Sequence, residues 1–86
     1  MDDIRVNRAR FRAWRRGFRE ADLILGPFAD SRAPAMGPAE LDRFERLLAQ
    51  PDHDLYGWIV GDATVPREFD DDLMTALRAF AHAGRG

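Results

Sequence analysis

The chain has 86 residues, a net charge of −2 at pH 7, and neither cysteine nor lysine. The missing cysteines exclude disulfide scaffolds, thiol nucleophiles and the usual structural zinc sites, and the missing lysines exclude a Schiff base. Its 45% hydrophobic and 33% charged content is typical of one globular domain over residues 1–86, with no membrane span and no visible secretory signal, so we expect a cytoplasmic protein.

The charge is divided unevenly along the chain. Residues 1–20 carry seven arginines and three acidic residues, a net +4, whereas residues 21–86 carry six arginines and twelve acidic residues, a net −6. A basic first segment on an acidic body suits docking to an acidic partner surface. A solvated, arginine-rich helix face would give the same pattern.

The first helix is predicted near residues 4–16. Phe11, Trp14 and Phe18 are spaced by three and four residues, as on one face of a helix. We expect Phe11 and Trp14 to belong to the core, with a stripe of arginines beside them. Gly17 interrupts the pattern and is predicted to cap this helix at its C-terminus.

The second helix is predicted to begin at Phe18 and to contain a kink at Gly26 and Pro27, because proline removes one helical hydrogen bond and crowds the preceding turn. An end of the helix before Pro27 is the alternative. Residues 31–37 follow as a predicted loop, since proline and glycine interrupt them.

Three more helices are predicted in the acidic part of the chain. The third begins at Pro38, the fourth at a capping Asp52, and the fifth carries an apolar stripe. That stripe consists of Phe69, Leu73, Ala76, Leu77 and Phe80. Residues 82–86 should fray. No segment alternates apolar and polar residues, so the fold class is all-α, a compact bundle of about five short helices.

Catalytic groups are scarce in this sequence. The single serine, Ser31, lies in the predicted loop without a nearby histidine, and His53 and His82 are far apart along the chain. The acidic run at residues 70–72 would point in three directions around a helix and could not converge on a metal ion. We therefore expect no catalytic residue, no metal site and no tightly bound cofactor.

Two short segments are more specific. Arg16, Gly17 and Glu20 have the pattern Arg-Gly-x-x-Glu, and residues 51–59 read Pro-Asp-His-Asp-Leu-Tyr-Gly-Trp-Ile. The glycine lets the chain turn and a partner's backbone approach, the arginine offers a planar fork of donors, and the glutamate accepts hydrogen bonds. We expect both charges to be exposed, so that alanine at either position leaves the fold nearly intact. An intrachain Arg16–Glu20 pair is the alternative.

In order, spacing and total length, these segments resemble the SdhE family, the bacterial relatives of mitochondrial succinate dehydrogenase assembly factor 2, over about residues 8–82. The resemblance implies a five-helix assembly factor that binds the flavoprotein subunit of succinate dehydrogenase and promotes covalent attachment of its FAD. In some bacteria the fumarate reductase flavoprotein is a second partner. The bond joins a histidine of the flavoprotein to the flavin, so the factor itself supplies no nucleophile. We expect the functional form to be a monomer.

The resemblance implies partner-binding roles for six residues of the two segments. They are Arg16, Gly17, Glu20, Asp52, Asp54 and Tyr56. Leu55 and Trp58, which share the second segment, are expected to be mainly structural.

Two other classes of function stay open from the residues alone. A small antitoxin-like or generic protein-interaction module would have the same composition. The arginine-rich first helix could also bind nucleic acid through its phosphates. The negative net charge argues against nucleic acid, as does the lack of a following recognition helix rich in arginine, asparagine and glutamine.

Overall fold

The structure, a computed structural model, describes residues 3–83. The regular structure of this range consists of five α-helices and two short 3₁₀-helices, without a strand. The α-helices are α1 (Asp3–Trp14), α2 (Arg19–Arg32), α3 (Pro38–Leu48), α4 (Asp52–Val60) and α5 (Asp72–Ala83). The 3₁₀-helices, Ala33–Ala35 and Arg67–Phe69, precede α3 and α5. The predicted all-α fold is confirmed, and none of the described helices is long and apolar enough to span a lipid bilayer.

The second helix, α2, packs against α1, α4 and α5 and supplies the centre of the core. The ring of its fully buried Phe28 packs edge-on against Phe44 of α3 at 5.8 Å and against Phe80 of α5 at 5.5 Å, measured between ring centroids. Tilted aromatic pairs of this kind are favourable beyond the area that they bury. The other largest side chains that are fully buried are Leu25, Phe44, Leu55, Met74 and Leu77.

The first helix, α1, buries its small residues and exposes its aromatic ones. Val6, Ala9 and Ala13 belong to the core, whereas Phe11 is 59% exposed and Trp14 is 40% exposed. The prediction that Phe11 and Trp14 belong to the core is therefore wrong. Because alanine side chains are short, α1 can lie close to its neighbours along this face, and a larger side chain there would force the helices apart.

A charged contact fixes the beginning of α1 to α3. The Nε of Arg5 donates to Glu45 at 2.8 Å, and the same guanidinium also contacts Asp42. The hydrogen bond from Arg5 holds the pKa of Glu45 below its ordinary value. One arginine of the basic segment is thus neutralised within the chain.

The connection between the first two helices differs from the predicted one. The helix α1 ends at Trp14 rather than near residue 16, so Gly17 lies in the connecting loop and does not cap the helix. Its φ is +85°, in the left-handed region that glycine adopts without strain. The loop at residues 15–18 is therefore a separate feature between α1 and α2.

The helix α2 begins at Arg19, one residue after the predicted Phe18, and continues through Pro27 to Arg32. The alternative of an early end is wrong. Proline cannot donate to the carbonyl four residues earlier, which here belongs to Leu23. Leu23 lies on the exposed side of α2, where water can replace the lost donor.

The indole of Trp14 lies directly on the backbone of Gly26 in α2, and a methyl group at that position would overlap the ring. The indole Nε1 donates to Asp30 Oδ2 at 3.1 Å, and Arg10 Nε donates to Asp30 Oδ1 at 2.8 Å. The bond from Arg10, aided by the one from Trp14, holds the pKa of Asp30 below its ordinary value. Glycine at position 26 therefore makes room for a fixed indole.

Three boundaries farther along the chain also differ from the predictions. Residues 31–37 form a loop only at their end, because α2 and the first 3₁₀-helix occupy most of that range. Phe69 belongs to the second 3₁₀-helix and not to α5. His82 is helical, so the predicted fraying does not begin there, and residues 84–86 of the predicted tail lie outside the described residues.

We expect Gly26→Ala to destabilise the protein by about 1 kcal/mol when Trp14 is present, and to stabilise it in the Trp14→Ala background. Alanine is favoured over glycine in a helix interior by about 1 kcal/mol, but the added methyl group displaces the indole, which costs about 1–3 kcal/mol. Urea unfolding of the four proteins in this double-mutant cycle measures the coupling. Gly37→Ala is the control, since nothing lies within 4 Å of its added carbon. The same effect of Gly26→Ala in both backgrounds would contradict the packing described above.

Candidate functional site

Arg16, in the loop between α1 and α2, is bound by three groups of its own chain. Its Nε donates to Asp52 Oδ1 at 2.7 Å, its Nη1 to the Leu48 carbonyl at 2.5 Å, and its Nη2 to the Gln50 carbonyl at 2.6 Å. Only 7% of the Arg16 side chain is exposed. We refer to this arrangement as the Arg16 clasp.

The Arg16 clasp fixes the loop to two further helices. The last carbonyls of a helix have no partner within it, and Leu48 is the last residue of α3. Asp52 is the first residue of α4, where the helix dipole favours a carboxylate. The predicted capping role of Asp52 is wrong, because no side-chain capping bond is present at the start of α4 and the carboxylate accepts from Arg16 instead.

The clasp also corrects the expected exposure of the motif arginine. Within residues 3–83, Arg16 pairs with Asp52, and neither an exposed guanidinium nor the alternative Arg16–Glu20 pair is found. Its partner-binding role stays a prediction, but its Nε, Nη1 and Nη2 are all engaged inside the chain. Arg16 therefore orients the loop at residues 15–18 relative to α3 and α4.

A second bond holds the same loop from the side of α2. The backbone N–H of Arg16 donates to Asp22 Oδ1 at 3.1 Å, and Asp22 lies in the first turn of α2. No role is predicted for Asp22 from the sequence. The available signal was an acidic residue in the first turn of a predicted helix, a position from which a side chain can accept from nearby backbone N–H groups.

Phe18 packs against the second segment, residues 51–59, and so connects it to the loop at residues 15–18. Its ring centroid lies 5.0 Å from that of His53 and 5.1 Å from that of Tyr56, both on α4. These ring contacts and the clasp place the two segments side by side, although they are far apart in sequence. Leu55 and Trp58 of the second segment are buried, which confirms their predicted structural role.

Gly17, Glu20 and Asp54 are exposed; the first two lie in or beside the loop at residues 15–18, and the third lies on α4. Open space surrounds the position where a side chain would begin at Gly17. Glu20 lies in the first turn of α2, and its carboxylate makes no hydrogen bond or ion pair with any residue between positions 4 and 83. Tyr56 is half-buried and packs against the ring of Phe18. Three of the six predicted partner-binding residues are thus presented to solvent.

The chemistry that this surface offers is recognition by hydrogen bonds. The bare backbone at Gly17 can approach a partner closely, and the carboxylate of Glu20 can accept from a partner cation. In the part of the chain that the structure describes, no three histidine, aspartate or glutamate side chains are arranged to hold a metal ion.

Comparisons with known proteins match this chain to one family. Residues 7–81 match the family described as flavinator of succinate dehydrogenase. The chain is 38% identical over 82 residues to the FAD assembly factor SdhE of Acetobacter pasteurianus, which covers 95% of this chain and 75% of that protein. No solved structure matches the chain.

The mitochondrial relatives are longer than this chain. It is 36% identical over 63 residues to the mitochondrial succinate dehydrogenase assembly factor 2 of Dictyostelium discoideum, which covers 73% of this chain and 45% of the relative. The factor of the same name in Mycosarcoma maydis is 32% identical over 74 residues, which covers 86% of this chain and 31% of the relative. The chain thus spans less than half of the length of these two relatives.

We expect Arg16→Ala to destabilise the protein by about 2–3 kcal/mol, because two backbone carbonyls and a carboxylate lose their donor in a largely buried place. Glu20→Ala, at an exposed position, should change the free energy of unfolding by less than about 0.5 kcal/mol. Thermal and urea unfolding of the two variants measure the difference. Arg16→Lys should recover only part of the loss, because an ammonium cannot reproduce the planar fork. Equal stability of the Arg16→Ala and Glu20→Ala variants would contradict the clasp.

Proposed function

This chain belongs to the family of flavinators of succinate dehydrogenase, and we propose that it binds the flavoprotein subunit of succinate dehydrogenase and promotes covalent attachment of FAD to that subunit. The observation that carries the proposal is the joint surface made by the Arg16 clasp and the ring contacts of Phe18. The order and spacing of the two segments that form this surface, residues 16–20 and 51–59, resemble the same family in the sequence. In this role the chain is an assembly factor and not an enzyme.

The partner-binding groups of the proposal are the accessible ones. Gly17 presents backbone with no side chain, and Glu20 presents a carboxylate that no group within residues 3–83 occupies. Arg16 contributes by holding both of them in place, since its own donors are used by Asp52 and by the end of α3. The predicted contact of Arg16 with the partner becomes, in this proposal, a positioning role.

The proposed mechanism is preorganisation of the partner. A flavoprotein held in one geometry has its own histidine and its flavin already aligned, which removes part of the entropic barrier to bond formation. The factor supplies a rigid docking surface, since the loop that carries Gly17 is tied to α2, α3 and α4. The flavin stays on the partner throughout, and the factor holds no tightly bound cofactor.

The proposal has three finer parts. The flavoprotein of fumarate reductase is a second partner, because a docking surface for one flavoprotein subunit suits its relative. The factor acts as a monomer, since the clasp and the core are complete within one chain. It acts in the cytoplasm.

Deletion of the gene should lower the covalent flavin of the flavoprotein subunit. Flavin fluorescence of the denatured subunit in a gel measures covalent attachment directly. A plasmid copy of the wild-type gene should restore the signal. Undiminished covalent flavin in a strain without a second member of the family would overturn the proposed function.

Gly17→Arg should lower flavinylation strongly, whereas Gly61→Arg should not. Both glycines have positive φ, +85° and +88°, and both have open space where a side chain would begin. Each variant therefore has the same left-handed strain, about 1–2 kcal/mol, and the same added charge. Only position 17 places the new side chain in the proposed interface. In the complemented deletion strain, equal flavin signals from the two variants would remove Gly17 from that interface.

A further inference from the structure

The helix α1 carries an exposed aromatic side chain that the fold does not use. The core contacts of α1 come from Val6, Ala9 and Ala13, and Phe11 lies outside them at 59% exposure. The guanidinium carbon of Arg15 lies 4.7 Å from the centroid of the Phe11 ring, within the range of a cation–π contact. We refer to these two side chains as the Phe11–Arg15 ridge.

The neighbourhood of the ridge is held in one arrangement. Trp14 lies between its two members in sequence, and its indole is fixed by Gly26 beneath it and by the hydrogen bond to Asp30. Residues whose rotamers are fixed before binding lose less entropy when a partner arrives. Exposed phenylalanine, tryptophan and arginine side chains are also among the types that dominate binding energy at protein interfaces.

The ridge adjoins the site described above. Phe11 and Arg15 together separate two shallow clefts on the surface. One cleft is also lined by Arg16 and Asp52 of the clasp, and the other by Trp14 with its neighbours. A partner that binds the loop at residues 15–18 can therefore also contact the ridge, because the two are adjacent on the surface.

The charge near the ridge identifies the chemistry of its occupant. Arg10 and Arg16 are neutralised by acidic side chains of their own chain. Arg15 has no acidic partner among residues 4–83, so the positive charge that lies against the Phe11 ring is available to another molecule. An exposed ring with a free guanidinium group against it is complementary to an apolar surface bordered by carboxylates.

We propose that the Phe11–Arg15 ridge is a second contact through which this chain binds the flavoprotein subunit of succinate dehydrogenase, on an apolar surface of that subunit bordered by carboxylates. This inference rests on the proposed function, because that function names the partner. It adds a contact outside the Arg-Gly-x-x-Glu motif. The motif loop positions the partner, and the ridge supplies buried apolar area and electrostatic attraction.

A second copy of this chain fits the ridge less well. In a symmetric dimer the same patch faces itself, so that Arg15 would oppose Arg15 of the other copy. Like charges facing each other across an interface are unfavourable. The flavoprotein subunit is therefore the occupant to which the proposal commits.

The test compares ridge variants with matched controls in binding to the purified flavoprotein subunit, produced without the factor and reconstituted with FAD. Phe11→Ala should raise the Kd by about tenfold or more, as truncation of an interface anchor does. Its control is Ile4→Ala, which removes a 74% exposed apolar side chain from the same helix. That control should change the Kd by less than about twofold.

The charge of the ridge is tested by Arg15→Glu against Arg67→Glu. Both arginines are exposed, and both substitutions change the net charge by the same amount. Arg15→Glu should raise the Kd by about tenfold or more and should make binding less sensitive to salt, whereas Arg67→Glu should leave both close to wild type. Circular dichroism should show unchanged folds, because neither side chain belongs to the core.

The outcomes separate this inference from the proposed function. Wild-type binding with equal Kd values for the ridge variants and their controls would overturn the ridge and leave the proposed function standing. A wild-type protein that neither binds the subunit nor restores its covalent flavin would overturn the proposed function, and the occupant of the ridge with it. A wild-type dimer in sedimentation experiments that Phe11→Ala converts to monomers would assign the ridge to self-association and overturn the proposal.

Discussion

The structure depends on a single guanidinium group that satisfies three acceptors, which lie at the end of α3, in the connection that follows it and at the start of α4. Arg16 donates to the carbonyl of Leu48, to the carbonyl of Gln50 and to the carboxylate of Asp52. The Leu48 carbonyl, at the end of α3, would otherwise have no partner within its helix. Lysine could not replace Arg16, because a compact ammonium lacks the planar fork that reaches three acceptors at once. The sharp turn between α3 and α4 and the loop between α1 and α2 are therefore fixed by the same side chain.

The clasp also explains how a small chain builds a defined surface without a large core. The loop at residues 15–18 has no regular structure of its own, yet it is bound by Asp22 on one side and by Asp52 on the other. Phe18 adds ring contacts to His53 and Tyr56. Polar and aromatic contacts thus give a loop the rigidity that helices obtain from their hydrogen bonds. What remains exposed on it, Gly17 and Glu20, is what a partner can reach.

Much of the fold could be predicted from the sequence, because apolar spacing and helix breakers report the helices directly. The exposure of individual residues could not. Phe11 and Trp14 have helical spacing, but the tighter packing of Ala9 and Ala13 decides which face of α1 is buried. That choice depends on the neighbouring helix, where Gly26 accommodates the indole of Trp14 at the edge of the contact.

In the candidate site, features of short segments could likewise be predicted from the sequence, whereas a contact between distant segments could not. The two motifs and the turn at Gly17 could be read from short segments, and the positive φ agrees with the glycine. The pairing of Arg16 with Asp52 could not, because nothing local distinguishes it from a pair with Glu20. The alternative partner is one helical turn away in sequence, whereas the true partner is brought near only when α3 and α4 have packed.

Arg16 and Asp52 are separated by 36 positions along the chain. A helix hairpin of α1 and α2 formed alone would lack that contact and would present the motif loop without its support. The arrangement that we propose for partner recognition therefore exists only in molecules that have closed the whole bundle. The fraction of molecules that can bind the partner is therefore set by the equilibrium between the closed and the opened bundle. A substitution far from the surface that shifts this equilibrium lowers the apparent affinity in proportion to the closed fraction, without altering any group that touches the partner.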